Sequence, residues 1–365
     1  MLRKALTNRP VLTVVGLALL VGLTIYLIVF LRATGLFRTL AETRPGPCTS
    51  ITGVIGPEDI AIDPATGLAF VTHADRDAVA HGRPPMGDIL VMDLTAARPA
   101  LTPLNALPAT DFFPHGLDLY VGEDGEKLLF VVNHGRTGDD HSIEIFQIGE
   151  AGRLSHRETI RDPAVYSPND VVAVGPRAFY ATNDLGARSA FWRRLEPYLL
   201  APWANVAYFD GRQGRLVLDG QQYPNGIVAN ADRDTLFVAE VLARKVTAYT
   251  RDPATGDLTR AWAADVAMGV DNLIVDRDGA IWAAGHPRPL EFTRYVKDLE
   301  RPSSSEVVRI DYLGRPAPRT TTVYLDRGQE YSAVSVAAPF GGRLYMGAVY
   351  ERRMLVCAMD GGSDP

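Results

Sequence analysis

Cysteine is nearly absent. The 365-residue chain has two, Cys48 and Cys357, at opposite ends of everything that follows the first 47 residues. Such a pair either remains as two buried free thiols or, outside the reducing cytosol, joins chain ends that the fold brings together. Closing so long a loop would contribute about 4–5 kcal/mol in the chain-entropy account. N-x-S/T sequons are absent, so glycosylation gives no guide to topology. No basic run follows the first residues, and the formal net charge is −6, so the basic footprint of a nucleic-acid partner is missing. A G-x-S-x-G nucleophile elbow is also missing, and neither "GPEDIA" nor "GVDN" is a phosphate loop.

What the chain has in quantity is apolar residues, 47% hydrophobic, enough for a large core. One block stands apart. Val11 to Leu31 carries no charged side chain and, at about 1.5 Å per residue, is long enough to cross a bilayer core. With no small-residue cleavage site evident, it reads as an uncleaved signal anchor. Residues 1–10 form a short flank and 32–47 a linker. Arg3, Lys4 and Arg9 precede the span while Arg32, Arg38 and Arg44 follow it, so the positive-inside rule leaves orientation open. The expected arrangement is a membrane anchor with the following domain on the extracytoplasmic side.

The remainder repeats. Six stretches share the plan strand, tight turn, strand: "DIAIDPATGLAFVTHA" from Asp59, "GLDLYVGEDGEKLLFVVNH" from Gly116, "DVVAVGPRAFYATND" from Asp170, "GIVANADRDTLFVAEV" from Gly226, "NLIVDRDGAIWAAGHP" from Asn272 and "AVSVAAPFGGRLYMGAVY" from Ala333. Turns such as P-A-T-G and R-D-G separate the apolar runs. A third strand-like segment follows each unit, for example "GDILVMDL" and "RRMLVCAM". One motif repeated six times predicts an all-β, six-bladed β-propeller over residues 48–360 rather than a two-sheet sandwich. If "CTSITGVI" completes the last blade, a Cys48–Cys357 bond fastens the ring and removes its open strand edge.

Aligning the starts of the first strands places Glu58, His115, Asn169, Asn225, Asp271 and Ser332 at one position, and Asp59, Gly116, Asp170, Gly226, Asn272 and Ala333 at the next. First strands of propeller blades line the axis, so these side chains are expected to converge there. Crowded carboxylates repel unless a cation intervenes. Glu58, Asn169, Asn225, Asp271 and Asn272 offer only hard oxygens, the donor type Ca²⁺ prefers, whereas zinc or copper would call for nitrogen and sulfur. A solvated polar funnel is the plainer alternative. Asp59 and Asp170, with a backbone carbonyl such as that of Leu117, form a candidate set for a second, structural Ca²⁺.

The ends of the second strands supply His134, Asp184 and His286 at the same mouth. An imidazole titrates near neutrality and can take a proton from water. His115 and His134 are the candidate bases, and Asp184 is expected to orient His134. His73, His81, His141 and His156 fall at other offsets and read as surface residues.

These motifs resemble the paraoxonase/arylesterase family of six-bladed calcium-dependent lactonases. "GPEDIAID", "PHGL", "LFVVNH", "PND", "YATND", "PNGI", "AEVLARKV", "GVDNL" and "GHP" stand in order from about Cys48 to Met359. The resemblance implies a catalytic Ca²⁺ on Glu58, Asn169, Asn225, Asp271 and Asn272, and a structural one on Asp59, Asp170 and the Leu117 carbonyl. It also implies a His115–His134 dyad supported by Asp184, and a Cys48–Cys357 disulfide. Ala284 replaces a cysteine found in animal members, and their sequons are lacking; neither departure removes a proposed catalytic group, but both weaken the inference that substrate preference or lipoprotein binding carries over.

The stretch "LGARSAFWRRLEPYLLAPWA" interleaves Phe191, Trp192, Tyr198 and Trp203 with arginines. It is either a helix packed on its blade or a lid at the rim, beside His286, that favours lipophilic lactone or ester substrates and the membrane interface. A sugar lactonase of the gluconolactonase type, or a non-catalytic strictosidine-synthase-like binding propeller, are the alternatives to a lactonase/arylesterase.

Overall fold

A computed structural model describes residues 9–84, 86–108, 111–135 and 140–359. Six four-stranded antiparallel sheets follow one another around a ring. Their first strands are Ile60–Asp63, Pro114–Val121, Pro168–Ala173, Pro224–Ala229, Gly269–Val275 and Val334–Phe340. The last sheet borrows its outer strand from the other end of the chain: Cys48–Thr52 pairs with Arg353–Ala358, Cys48 opposite Cys357, and the two sulfurs are bonded. The six-bladed propeller and its disulfide closure stand as expected.

Blade-on-blade packing explains why the middle strands read as unbroken apolar runs. The strand Lys127–Asn133 is covered on both faces, so its residues after Lys127 are all buried. Phe130, Val132, Ile143 and Ile145 of the second blade pack against Val171, Ala173, Phe179 and Ala181 of the third.

The apolar helix runs over Arg9–Ala33, with its leucines and valines exposed except Leu31, and is long and apolar enough to cross a membrane. The segment expected as a linker, 32–47, lies along the propeller. Arg244 Nη1 donates to the carbonyls of Arg32 and Ala33, Arg38 pairs with the buried Glu306, and Thr43 bridges Leu325 in both directions. The helix is therefore seated on one face of the ring through backbone carbonyls as well as side chains.

Candidate metal centre and histidine cluster

The residues that sequence alignment placed on the axis are not simple strand openers. In the second to fifth blades the ladder slips between Pro114 and Leu117, Pro168 and Val171, Pro224 and Ile227, and Val270 and Leu273. Each bulge contains the predicted pair, namely 115–116, 169–170, 225–226 and 271–272. A bulge leaves residues unpaired and re-aims their side chains, which here turns them toward the channel. In the sixth blade the slip comes later, between Val334 and Val336. Ser335 is therefore the counterpart of the other bulged residues; its hydroxyl donates to the Glu58 carbonyl, while Ser332 bonds Gly328.

Glu58, Asn169, Asn225, Asp271 and Asn272 are all buried. Asn272 Nδ2 donates to Glu58 Oε1 at 2.7 Å. Four oxygens of the set, Glu58 Oε2, Asn169 Oδ1, Asn225 Oδ1 and Asn272 Oδ1, are buried without a hydrogen-bond partner. Leaving such atoms unmet costs about 1–3 kcal/mol each, so their concentration on one ring demands a partner. Among the described residues there is no group of three or more His, Cys, Asp or Glu placed to hold a metal. Three of these five residues are asparagines, and amide oxygens suit a hard cation such as calcium. Burial raises the Glu58 and Asp271 carboxyls above their ordinary range.

Asp59 and Asp170 lie one residue deeper. Each carboxylate is held by two backbone amides: Asp59 by Ile60 and Leu117, Asp170 by Val171 and Ile227. Leu117 thus reaches the pair through its N–H. Burial raises both carboxyls well above the usual range, and for Asp59 the neighbouring Asp170 charge adds to it. Both also line a cavity whose other walls include Asp118, Arg233, Asp276 and Arg277. That cavity does not include the five upper donors, so the two sets border different spaces.

His134 Nε2 lies 3.0 Å from His115 Nδ1, and His115 Nε2 lies 3.7 Å from Glu58 Oε1. The expected support from Asp184 is corrected. Asp184 is bonded to the Ser167 hydroxyl and lies by Tyr223 and Arg193, whereas His134 Nδ1 meets His141 Nδ1 at 3.0 Å. His141, read as a surface residue, is in the cluster because Asn133 pairs with Ser142, which sets 134 and 141 opposite each other where the hairpin's loop begins. Burial lowers both His115 and His134 well below the usual histidine range, the Arg76 and His141 charges contributing.

His286 is also reassigned. It is buried, not at the rim, with Nε2 3.0 Å from Asp271 Oδ2 and its ring stacked on Phe292, so it orients an axial donor. His73 is likewise internal in role: Nδ1 accepts from Ile55 N, as Asn133 and Asn183 accept from Phe113 and Tyr166 in the next blades. Sequence reading missed Arg76 altogether. Its buried guanidinium donates to the Gly56 and Pro114 carbonyls, tying the segments that carry Glu58 and His115. Its charge in the motif-poor "HADRDA" gave no signal.

The aromatic insertion forms a helix, Ala190–Leu199, opened by Ser189, whose hydroxyl accepts from Trp192 N. Glu196 is buried and accepts from Gly186 and Ala187, and Arg193 reaches Ser167 Oγ at 3.0 Å. Phe191, Trp192, Tyr198 and Trp203 remain exposed. Tyr26, on the apolar N-terminal helix, donates to the Tyr198 carbonyl.

Comparison with known proteins gives the family. A profile of the Arylesterase family matches residues 41–359. The chain is 36% identical over 315 residues to serum paraoxonase/arylesterase 2 of Rattus norvegicus, covering 84% of this chain and 87% of that protein. It is 35% identical to the Homo sapiens protein of the same name with equal coverage. Among solved structures, a luciferin-regenerating enzyme superposes with a TM-score of 0.52 at 10% identity, over 87% of this chain and 96% of that one, a likeness of fold alone. By sequence over nearly the whole propeller, the chain belongs to the arylesterase family.

Proposed function

We propose that the protein is a calcium-dependent hydrolase of lactones and aryl esters. The observation that carries this reading is the ring of partnerless buried oxygens on Glu58, Asn169, Asn225 and Asn272, with a histidine cluster at its edge. Glu58, Asn169, Asn225, Asp271 and Asn272 would hold one Ca²⁺, and Asp59, Asp170 and the Leu117 carbonyl a second, structural one. A calcium ion held on the upper ring would supply charge that polarises the ester carbonyl and favours the developing oxyanion. His115, 3.7 Å from Glu58, is placed to take a proton from the attacking water, and His134 orients it. Asp184 acts at a distance from this pair, by fixing Ser167 and, through it, the aromatic helix.

The apolar N-terminal helix supports a membrane anchor, and the disulfide supports a propeller outside the cytosol. The exposed aromatic side chains of the 190–203 segment support a lipophilic substrate and contact with the membrane interface.

The test is hydrolysis of a lactone series and phenyl acetate by the full chain, with and without a calcium chelator. Chelation abolishes activity, calcium restores it, and Asn225→Ala lowers kcat/KM by about 100-fold or more. Activity that ignores both the chelator and Asn225→Ala overturns the metal reading. Retention of activity in His115→Gln transfers the base role to another group.

A further inference from the structure

The His115–His134 pair has a third imidazole, that of His141, beside it. His134 stands between His115 and His141, its two nitrogens each 3.0 Å from a partner's Nδ1, with ring centroids 4.8 and 5.0 Å apart and interplanar angles of 79° and 76°. Edge-on contact through nitrogens marks hydrogen bonds rather than stacking. The His115 nitrogen not so engaged, Nε2, is the one nearest Glu58.

Hydrogen-bond direction then follows from the chemistry His115 has to perform. To take a proton at Nε2, His115 carries its hydrogen on Nδ1 and donates it to His134 Nε2. His134 must accept there, so its own hydrogen sits on Nδ1. That hydrogen needs an acceptor, and His141 Nδ1 is in place to be one. Without it, His134 would bury a donor or change tautomer, and its Nε2 would turn a hydrogen toward His115. We propose that His141 is a positioning residue for this pair: it fixes the His134 tautomer and serves as the outer station of a three-imidazole proton relay. The inference rests on the hydrolase reading above.

The relay balances within one turnover. Water gives a proton to His115 Nε2 as its oxygen bonds to the ester carbonyl carbon. His115 passes its Nδ1 proton to His134 Nε2, and His134 passes its Nδ1 proton to His141 Nδ1, leaving the positive charge on His141. When the carbon–oxygen bond to the leaving group breaks, the three transfers reverse, and His115 Nε2 protonates the departing alkoxide or phenoxide. No proton is gained or lost overall. The direction has a physical cause. On the inner side stands Arg76, whose buried guanidinium donates to the Pro114 carbonyl beside His115 and repels a positive charge held there. His141 is partly exposed at the loop end of the hairpin, next to the exposed Asp140.

The fold is shaped for this contact. Gly135 has φ +62°, and a Cβ there would lie 2.6 Å from the Asp140 carbonyl, so the chain turns back tightly enough to set residue 141 against residue 134. Phe113 accepts from His134 N and fixes the other side.

The experiment compares the wild-type full chain with His141→Ala and His141→Gln at saturating substrate, across concentrations of added imidazole. In His141→Ala, kcat falls about tenfold while KM stays near wild type, and imidazole restores kcat. Glutamine can accept from His134 but cannot carry the proton. His141→Gln therefore keeps the wild-type ¹⁵N signature of a His134 Nδ1–H tautomer, yet stays slow until imidazole is added. Wild-type kcat in His141→Ala, a loss that imidazole leaves unrelieved in both variants, or a His134 Nε2–H tautomer in the wild type each overturns the relay. A wild-type chain that hydrolyses no lactone or aryl ester overturns the hydrolase reading instead, and the ¹⁵N spectra still decide whether His141 sets the tautomer.

Discussion

A methyl group has no room at position 116. A Cβ built there would lie 2.2 Å from Asp170 Oδ1 and 2.8 Å from the Asn169 carbonyl, so glycine lets the second blade's bulge nest against the third's. Gly116→Ala must displace Asp170 from its two amides or push the strands apart, and the expected loss is about 1–3 kcal/mol of stability. Chemical denaturation of the full chain measures it, and an unchanged midpoint would remove the close approach as a constraint. Single residues also show where sequence was readable and where it was not. Asn169, Asp170, Asn225 and Asp271 stood out because similar local patterns recurred in register. His141 did not, because its neighbour across the hairpin depends on the pairing of Asn133 with Ser142, which no local pattern reveals. His73 looked like an exposed histidine because its role, accepting from Ile55 N, is filled by asparagine in the next two blades.

Between residue and ring lies the helix Ala190–Leu199, whose two sides do different work. Its inner side is anchored by Glu196 and Arg193, and its outer side leaves Phe191, Trp192 and Tyr198 exposed, with Trp192 edge-on to Trp203 at 5.9 Å. The interleaved aromatics were legible as an insertion with an apolar face. That Tyr26 of the N-terminal helix meets its Tyr198 carbonyl was not, since the residues are 172 apart in sequence. If both apolar elements meet the membrane as proposed, it has two points of attachment on this protein. Trp192→Ala combined with Trp203→Ala should weaken binding of the full chain to phosphatidylcholine vesicles and raise KM for long-chain lactones severalfold, while leaving phenyl acetate kinetics nearly unchanged. Flotation with vesicles and a chain-length series check both. Unchanged binding and unchanged long-chain kinetics would leave the helix as blade packing alone.

Across the whole molecule, six inner strands bring four carboxyls, those of Glu58, Asp59, Asp170 and Asp271, toward one axis. The six-fold plan was legible because each blade repeats it. The bulges were not, since a bulge changes pairing without changing residue type. Burial raises all four carboxyls in the folded state. For groups raised in this way, the stabilising contribution is complete below the unfolded carboxylate range, near pH 4, and is lost as pH rises through the folded values. His115 and His134 act in the opposite sense: their folded values are lowered, so their contribution is present above about pH 6.5 and is lost as pH falls. A bound cation reverses only the carboxyl part, because it interacts with the ionised form. The stabilisation by calcium, taken as the difference between unfolding with calcium and with chelator, should therefore be small near pH 4.5 and grow toward pH 8. With free calcium at a hundredfold excess over Kd, it should reach about 3 kcal/mol per ion. Thermal unfolding of the full chain across that range, with and without chelator, measures the difference directly. An increment that stays flat with pH would mean that the axial carboxyls are not what calcium neutralises.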